Sequence, residues 1–363
     1  MTTNAINRCP WWAWAAPLAA CLLLAAKFAH VVPADASVVL ILAAVLLLAA
    51  VFAAVHHAEI VALRVGEPIG SIVLAIAVTV IEVALIVSMM LAAKDGGGSL
   101  ARDTVFAAVM LVLNGVVGVC LLCGGARHHE QSFQEQGTSS ALSVLGTLAA
   151  IALILPNYTV AAPGPFYSPT QLDFVGFVSL VLYGVFLFVQ TVRHRDYFRT
   201  GADADSDDAR PGVRTTAISV VLLVVALVAV VLLAKTLSPS LELGVAAAGF
   251  PSSFVGVVIA ALVLLPEGTA AVLAARSNRL QTSLNLALGS ALASIGLTIP
   301  AVAVVSLWLG QPLTLGLAPE AMTLLILTLF ISTVTLATGR TTILQGAVHL
   351  VICGVFLLLS AVP

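Results

Sequence analysis

GSIVLAIAVTVIEVALIVSMMLAA, residues 70–93, is an apolar run of membrane-spanning length with a single charge in its middle, Glu82. A second run, FVGVVIAALVLLPEGTAAVLAA at residues 254–275, repeats the pattern around Glu267. About 20 apolar residues suffice to cross the hydrocarbon core as a helix. A carboxylate at the bilayer centre costs roughly 2.5–3.5 kcal/mol on insertion scales. Spanning segments keep such a group when it handles ions or protons. Both glutamates therefore read as parts of a cation or proton pathway.

The whole chain fits that setting. Its 363 residues are 61% hydrophobic and 9% charged, with a mean hydropathy of +1.13. Those values predict an all-α polytopic membrane protein and exclude a soluble enzyme carrying one anchor. A net charge of −2 lacks the clustered positive charge that nucleic-acid binding requires. Cys9, Cys21, Cys120, Cys123 and Cys353 lie mostly in or beside apolar runs and suggest no disulfide framework. The Cys120–Cys123 pair has CxxC spacing, but its place at the end of a span points to packing rather than redox or metal chemistry.

Apolar runs predict eleven spans, at residues 12–30, 35–55, 70–93, 104–123, 141–161, 172–192, 214–236, 247–275, 281–308, 320–338 and 341–361. Trp11, Trp12 and Trp14 at the start of the first suit an interfacial belt. Ala34-Asp35-Ala36 resembles a leader cleavage site, but the weak basic region and long apolar stretch before it favour a retained helix. Of the fifteen Lys and Arg residues, eleven fall on the side of the N-terminus and the even-numbered loops. Only Lys27, Lys94, Arg102 and Lys235 fall on the other. The positive-inside rule then puts the N-terminus in the cytoplasm and the C-terminus outside. His56, His57 and Glu59 read as a solvated interfacial face at the end of the second span.

The longest polar segment, RHRDYFRTGADADSDDARPGVR at residues 193–214, reads as a solvated cytoplasmic linker. Its acidic run lacks the spacing of a calcium loop. The chain thus divides into a first helix (1–33), a half with spans 2–6 (34–192), a linker (193–213) and a half with spans 7–11 (214–363). Each glutamate falls in the second span of its half. Aligning them matches Ser71 with Gly256, Ala75 with Ala260 and Val78 with Val263, on the face that carries the carboxylate. Five spans per half make equivalent helices cross in opposite directions. That is the inverted-repeat plan of secondary transporters, whose site lies near the midplane where the repeats meet.

If the repeats bring Glu82 and Glu267 together, two carboxylates in a poorly hydrated site hold protons until a cation displaces them. A Ca²⁺ ion needs about six to eight oxygen ligands. Thr79, Asn114, Asn285, Ser290 and Ser294 are the candidate neutral donors. Pro266 lacks an N–H, which leaves the Leu262 carbonyl without its helical partner and able to face an ion. Gly268 loosens the same turn, so Pro266 and Gly268 are read as a helix break. Competition for the same carboxylates would couple the two gradients by alternating access. His349, deep in the last span, reads as a packed neutral histidine.

Three stretches resemble the Ca²⁺:cation antiporter superfamily, and most nearly its bacterial ChaA-type sodium/potassium/calcium–proton antiporters. They are GEPIGSIVLAIAVTVIEVALIVSMML (66–91), ARDTVFAAVMLVLNGVVG (101–118) and LVLLPEGTAAVLAARSNRLQTSLNLALGSALASIGLTIPAV (262–302). The resemblance implies a ten-helix inverted-repeat core after an extra first helix, in a bacterial inner membrane, with a periplasmic C-terminus. It implies Glu82 and Glu267 as the cation- and proton-binding groups, with Asn114 and the 290–294 region in support. It implies no cofactor; the cation and the proton are substrates. Calcium–proton exchangers of plant and fungal vacuoles carry Gly-Asn three to four residues before each glutamate. Here those positions hold Val78-Thr79 and Val263-Leu264, so fewer side-chain oxygens surround the ion.

Ca²⁺/H⁺ exchange is the leading expectation, with Na⁺/H⁺ or K⁺/H⁺ exchange as the alternative. A passive cation channel fits the inverted repeats and titratable ligands less well. Membrane-embedded protease chemistry needs paired mid-span aspartates or an HExxH motif, and the chain has neither. Nothing in the sequence sets an oligomeric state.

Overall fold

A computed structural model describes residues 10–30, 36–66, 69–92, 98–198, 210–310 and 312–363. Arg8, Cys9, Lys94, the Ala34-Asp35 part of the cleavage-like site and the acidic run at 203–208 lie outside them. Among the described residues, eleven helices are long and apolar enough to cross a membrane. They are α1 (Trp11–Phe28), α2 (Ser37–Val65), α3 (Ile69–Leu91), α4 (Leu100–His128), α5 (Glu135–Tyr158), α6 (Pro169–Arg193), α7 (Val213–Ala247), α8 (Phe254–Arg276), α9 (Leu280–Leu309), α10 (Pro319–Leu336) and α11 (Ile343–Ala361). Two short strands, β1 (Gln131–Ser132) and β2 (Arg340–Thr341), pair antiparallel between them.

Eleven spans are present as expected, but two run well past their expected ends. α2 has 29 residues and α7 has 35. At 1.5 Å per residue these are about 43 and 52 Å long, more than a hydrocarbon core of about 30 Å requires. Polar residues after 55 and 236 suggest an end to the apolar run, yet polarity does not stop a helix. α2 stops at Gly66, in a left-handed conformation with φ 76°, and Gly249 (φ 79°) follows the end of α7.

The extension corrects the reading of His56, His57 and Glu59, which sit inside α2 rather than at its end. Glu59 is exposed, but His57 is fully buried. The His57 Nε2–H donates to the Ala13 carbonyl of α1 at 3.0 Å. That carbonyl is available because residue 17, its normal helical donor, is proline. The Trp12 and His56 rings meet beside this contact, 5.3 Å between centroids.

The chain divides into two compact units, residues 1–96 with 202–248 and residues 97–201 with 249–363. The first holds α1, α2, α3 and α7. Here α2 packs along α7, and α3 leans on both. Gly70 lets α3 approach α2 so closely that a Cβ would lie 2.6 Å from the Ala62 carbonyl oxygen. α1 is fastened at its far end by Lys27, whose Nζ donates to Thr236 Oγ1 at 2.8 Å.

The second unit holds the remaining seven helices, and its contacts are reciprocal between the halves. α4 packs on α11, and α9 packs on α6; each is the third helix of one half against the fifth of the other. The loop after α4 pairs with the loop after α10, through β1 with β2. The loop after α9 pairs with the loop after α5, through Phe166 with Thr314. These two pairings lie at opposite ends of α5, so α4 and α9 end at opposite ends of the unit. The fifth helices even start alike. Ser168 with Gln171 and Thr342 with Gln345 each form a reciprocal capping box. This is the exchange of contacts an inverted duplication produces.

Candidate functional site

In the first unit, Glu82 is 2% exposed on α3, among Val78, Ile81, Leu85 and Ile86, all buried. Thr79 lies one turn before it on the same face and is also buried. Its hydroxyl makes no hydrogen bond, not even back to its own helix. An unbonded buried hydroxyl costs about 1–3 kcal/mol, so an oxygen beside a buried glutamate is free for another partner.

In the second unit, both carboxylate oxygens of Glu267 are buried on α8. The helix does not break at Pro266 and Gly268, which corrects that expectation: α8 is continuous from Phe254 to Arg276. A proline inside a membrane span removes one hydrogen bond without ending the helix when local side chains compensate. Thr269 adds a local bond in the same turn, its hydroxyl donating to the carbonyl of Pro266 itself at 2.8 Å. The Leu262 carbonyl still has no N–H donor at residue 266, since proline lacks one. Gly268 serves close packing. A Cβ there would lie 3.3 Å from Val116 Cγ2, bringing the Glu267 turn against α4. Further along, Gly256 would place a Cβ 2.8 Å from the backbone of Asp103.

The part of α4 that meets this turn is not α-helical. Leu111–Val116 forms a π-helical turn, and Ser294–Thr298 forms another in α9. Such turns inside α-helices are frequent at functional sites. Asn114 and Ser294 share one register, each fourteen residues beyond the first residue of its helix, Leu100 or Leu280. Both lie in these turns, and both are buried.

Asn114 is the hub of a buried network joining α4, α10 and α11. Its Nδ2 donates to Thr328 Oγ1 at 2.9 Å, and its Oδ1 lies 3.2 Å from His349 Nδ1. The other ring nitrogen, Nε2, is 3.2 Å from Thr335 Oγ1. Asn114, Thr328 and His349 are fully buried. The NGVVG stretch explains the approach: a Cβ on Gly118 would lie 3.2 Å from His349 Cβ. His349 is thus not merely packed, and the sequence reading missed its partners. Thr328, Ser332 and Thr335 were visible as a polar stripe at helical spacing in an apolar span, all buried.

Two other expected donors separate. Ser290, one turn before Ser294 on α9, has a buried hydroxyl with no hydrogen bond. Asn285 has both ends of its amide engaged. Its Nδ2 donates to the Phe198 carbonyl and its Oδ1 accepts from Gln281 at 2.9 Å. Asn285 therefore ties down the segment after α6, near the start of α9, and stands apart from the π-helical turn. Among the described residues, no three His, Cys, Asp or Glu side chains gather to hold a metal ion. The donors near the glutamates are hydroxyl and amide oxygens, which suit hard cations.

A cavity of about 130 Å³ opens at one end of the second unit, lined by Arg102, Asp103, Ser253 and Glu320 and reaching inward to Val257 of α8. Arg102 pairs with its neighbour Asp103 at 2.7 Å and donates to the Gly316 carbonyl at 3.1 Å. Glu267 lies about 15 Å further along α8 at 1.5 Å per residue.

The sodium/calcium exchanger protein model matches residues 36–192 and 218–362, and the chain belongs to this family. It is a multi-pass secondary transporter, a cation antiporter and not an enzyme. A Sinorhizobium fredii protein named y4hA is 58% identical over 355 residues, 98% of this chain and 97% of its own length. The sodium-potassium/proton antiporter ChaA of Escherichia coli is 35% identical over 312 residues, 85% of this chain and 84% of its own. The chain also shares the fold of the Ca²⁺/H⁺ antiporter protein YfkE, with a TM-score of 0.71 at 15% identity over 97% of this chain and 99% of that one.

Proposed function

We propose that the protein is a cation/proton antiporter in which one cation, foremost Ca²⁺, and protons compete for Glu82 and Glu267. The observation that carries this reading is the pair of buried glutamates, one in the second helix of each inverted half. Each half adds oxygen close in sequence: the unbonded Thr79 hydroxyl in the first and, in the second, the Leu262 carbonyl, whose usual N–H donor is absent at Pro266. A hard divalent ion takes carboxylate, hydroxyl and carbonyl oxygens together. Protons neutralise the same carboxylates when the ion leaves. Neither substrate then crosses without the other being displaced, and alternating access turns that competition into exchange.

Na⁺/H⁺ or K⁺/H⁺ exchange is the second reading. It is supported by the likeness to a sodium-potassium/proton antiporter over most of the chain. It is also supported by the apolar Val78 and Leu264 close before the glutamates, which limit the oxygen count. The distribution of basic residues supports an inner-membrane orientation with a cytoplasmic N-terminus and a periplasmic C-terminus. Proton efflux from acid-loaded everted vesicles, with Ca²⁺, Na⁺ or K⁺ added separately, tests the assignment. Efflux driven by Ca²⁺ is expected. A response to Na⁺ or K⁺ with none to Ca²⁺ replaces the first reading by the second.

A further inference from the structure

We propose that His349 is a positioning residue for exchange: its imidazole fixes the Asn114 amide so that the amide oxygen is held toward the cation. The inference deepens the proposed function and rests on its reading of Asn114 as an oxygen donor. The geometry gives each hydrogen bond in the network a direction. Met110 Sδ lies 3.9 Å from Asn114 Nδ2 and 3.4 Å from Thr328 Oγ1. A thioether only accepts, so the NH₂ end of the amide faces it. The carbonyl end then faces His349 Nδ1, and since that oxygen only accepts, Nδ1 carries the proton; the Leu113 carbonyl is a second acceptor beside the ring. Nε2 is left with a lone pair and accepts from the Thr335 hydroxyl. The chain runs one way, from Thr335 through His349 and Asn114 to Thr328 and Met110.

This assigns His349 a neutral, single-tautomer role. An amide on a π-helical turn with nothing around it could turn about its last side-chain bond. Anchored at both ends by α10 and α11, it cannot. One Oδ1 lone pair accepts from His349, and the second remains for an ion. The turn that carries Asn114 also carries Val116, which meets Gly268, the residue after Glu267. Outer partners of this kind typically change metal affinity 10–100-fold when removed. The pseudo-symmetric position on α6, counted from the capping residues Ser168 and Thr342, is Val175. The histidine is therefore specific to one half and not a requirement of the packing both halves share.

The test uses the full chain in proteoliposomes, with Ca²⁺, Na⁺ and K⁺ each as probe. His349→Asn offers its amide N–H close to the place of Nδ1–H, whereas His349→Gln reaches toward the place of Nε2. His349→Leu and His349→Gln are expected to raise the half-saturating concentration of the driving cation about tenfold, with the maximal rate within about twofold. His349→Asn is expected to stay within about threefold of the parent, although it too loses Thr335. Adding Asn114→Ala to His349→Leu is expected to change half-saturation no further than Asn114→Ala alone. A purely structural histidine predicts instead that Asn, Gln and Leu all lower thermal stability and maximal rate alike, and that outcome overturns the proposal. Unchanged half-saturation in His349→Leu also overturns it while leaving the glutamate mechanism intact. Normal exchange in Glu267→Gln overturns the site itself, and this proposal with it.

Discussion

α4 and α9 are the third helices of the two halves, and they differ in the side chains that neighbouring helices bring to the matching turns. Each carries a π-helical turn at the same register, with Asn114 on one and Ser294 on the other. Around α4, two neighbouring helices supply Thr328, Thr335 and His349, and the Asn114 amide is gripped at both ends. Around α9, the helix packed against it is apolar at the matching place. Val175 stands where α11 has His349, and Tyr183 lies against Gly296, where a Cβ would sit 3.0 Å from its ring. One turn back, the Ser290 hydroxyl is buried without a hydrogen bond. The duplication preserved the scaffold and let the chemistry diverge.

That contrast can be broken at several points. The largest effect is expected where the halves agree. Glu82→Gln and Glu267→Gln should each reduce cation-driven proton movement by at least about 100-fold with the protein still folded, a loss of about 2.7 kcal/mol or more. Normal exchange in either variant, measured in vesicles with matched protein content, breaks the account of the glutamates. Next comes the close crossing of α8 and α4. Gly256→Val forces a side chain against the Asp103 backbone and should destabilise the protein by about 1–3 kcal/mol. Thermal unfolding in detergent reads this as a fall in the transition midpoint, and an unchanged midpoint contradicts the packing.

The unbonded hydroxyls give smaller, more selective effects. Ser290→Ala and Thr79→Val remove oxygens that contribute no internal hydrogen bond. Thermal stability should hold or rise by about 0.5–1 kcal/mol, since each lost hydroxyl was a buried polar group without a partner. Half-saturation for the cation should still rise about two- to fivefold, the share of one hydrogen-bond-sized interaction. A drop in stability without a shift in half-saturation assigns these oxygens to the scaffold. The smallest effect belongs to the first unit's edge. His57→Leu leaves the Ala13 carbonyl without a donor and should cost about 0.6 kcal/mol, the average for a hydrogen bond between membrane helices. Exchange kinetics should not change. A shift in half-saturation would tie α1 to the site.

Much of the fold is written in the sequence because hydropathy reads out burial in lipid directly. Eleven apolar runs give eleven spans, and two mid-span glutamates stand out because each is costly and has no charged neighbour in its run. The helix ends of α2 and α7 are less legible. Hydropathy marks where apolar character fades, whereas the ends are set by Gly66 and Gly249, whose positive φ stops the helix. Pro266 misleads for a related reason. In isolation it suggests a break, but one missing N–H does not end a helix packed against its neighbours, and α8 runs on to Arg276. Asn285 and Asn114 look alike along the chain and differ only in their tertiary partners, Phe198 for one and His349 for the other. No local pattern separates them. The polar stripe of α10 was legible and is the signal that would have joined Asn114 to His349.

The central claim is that the cation and the proton compete for the same buried carboxylates. The most direct test is the half-saturating concentration of the driving cation across a pH series, in proteoliposomes held at zero membrane potential. Competition predicts that half-saturation rises steadily as pH falls while the maximal rate at saturating cation stays constant. A half-saturating concentration that does not change with pH, with proton exchange intact, would mean separate sites and would contradict the account.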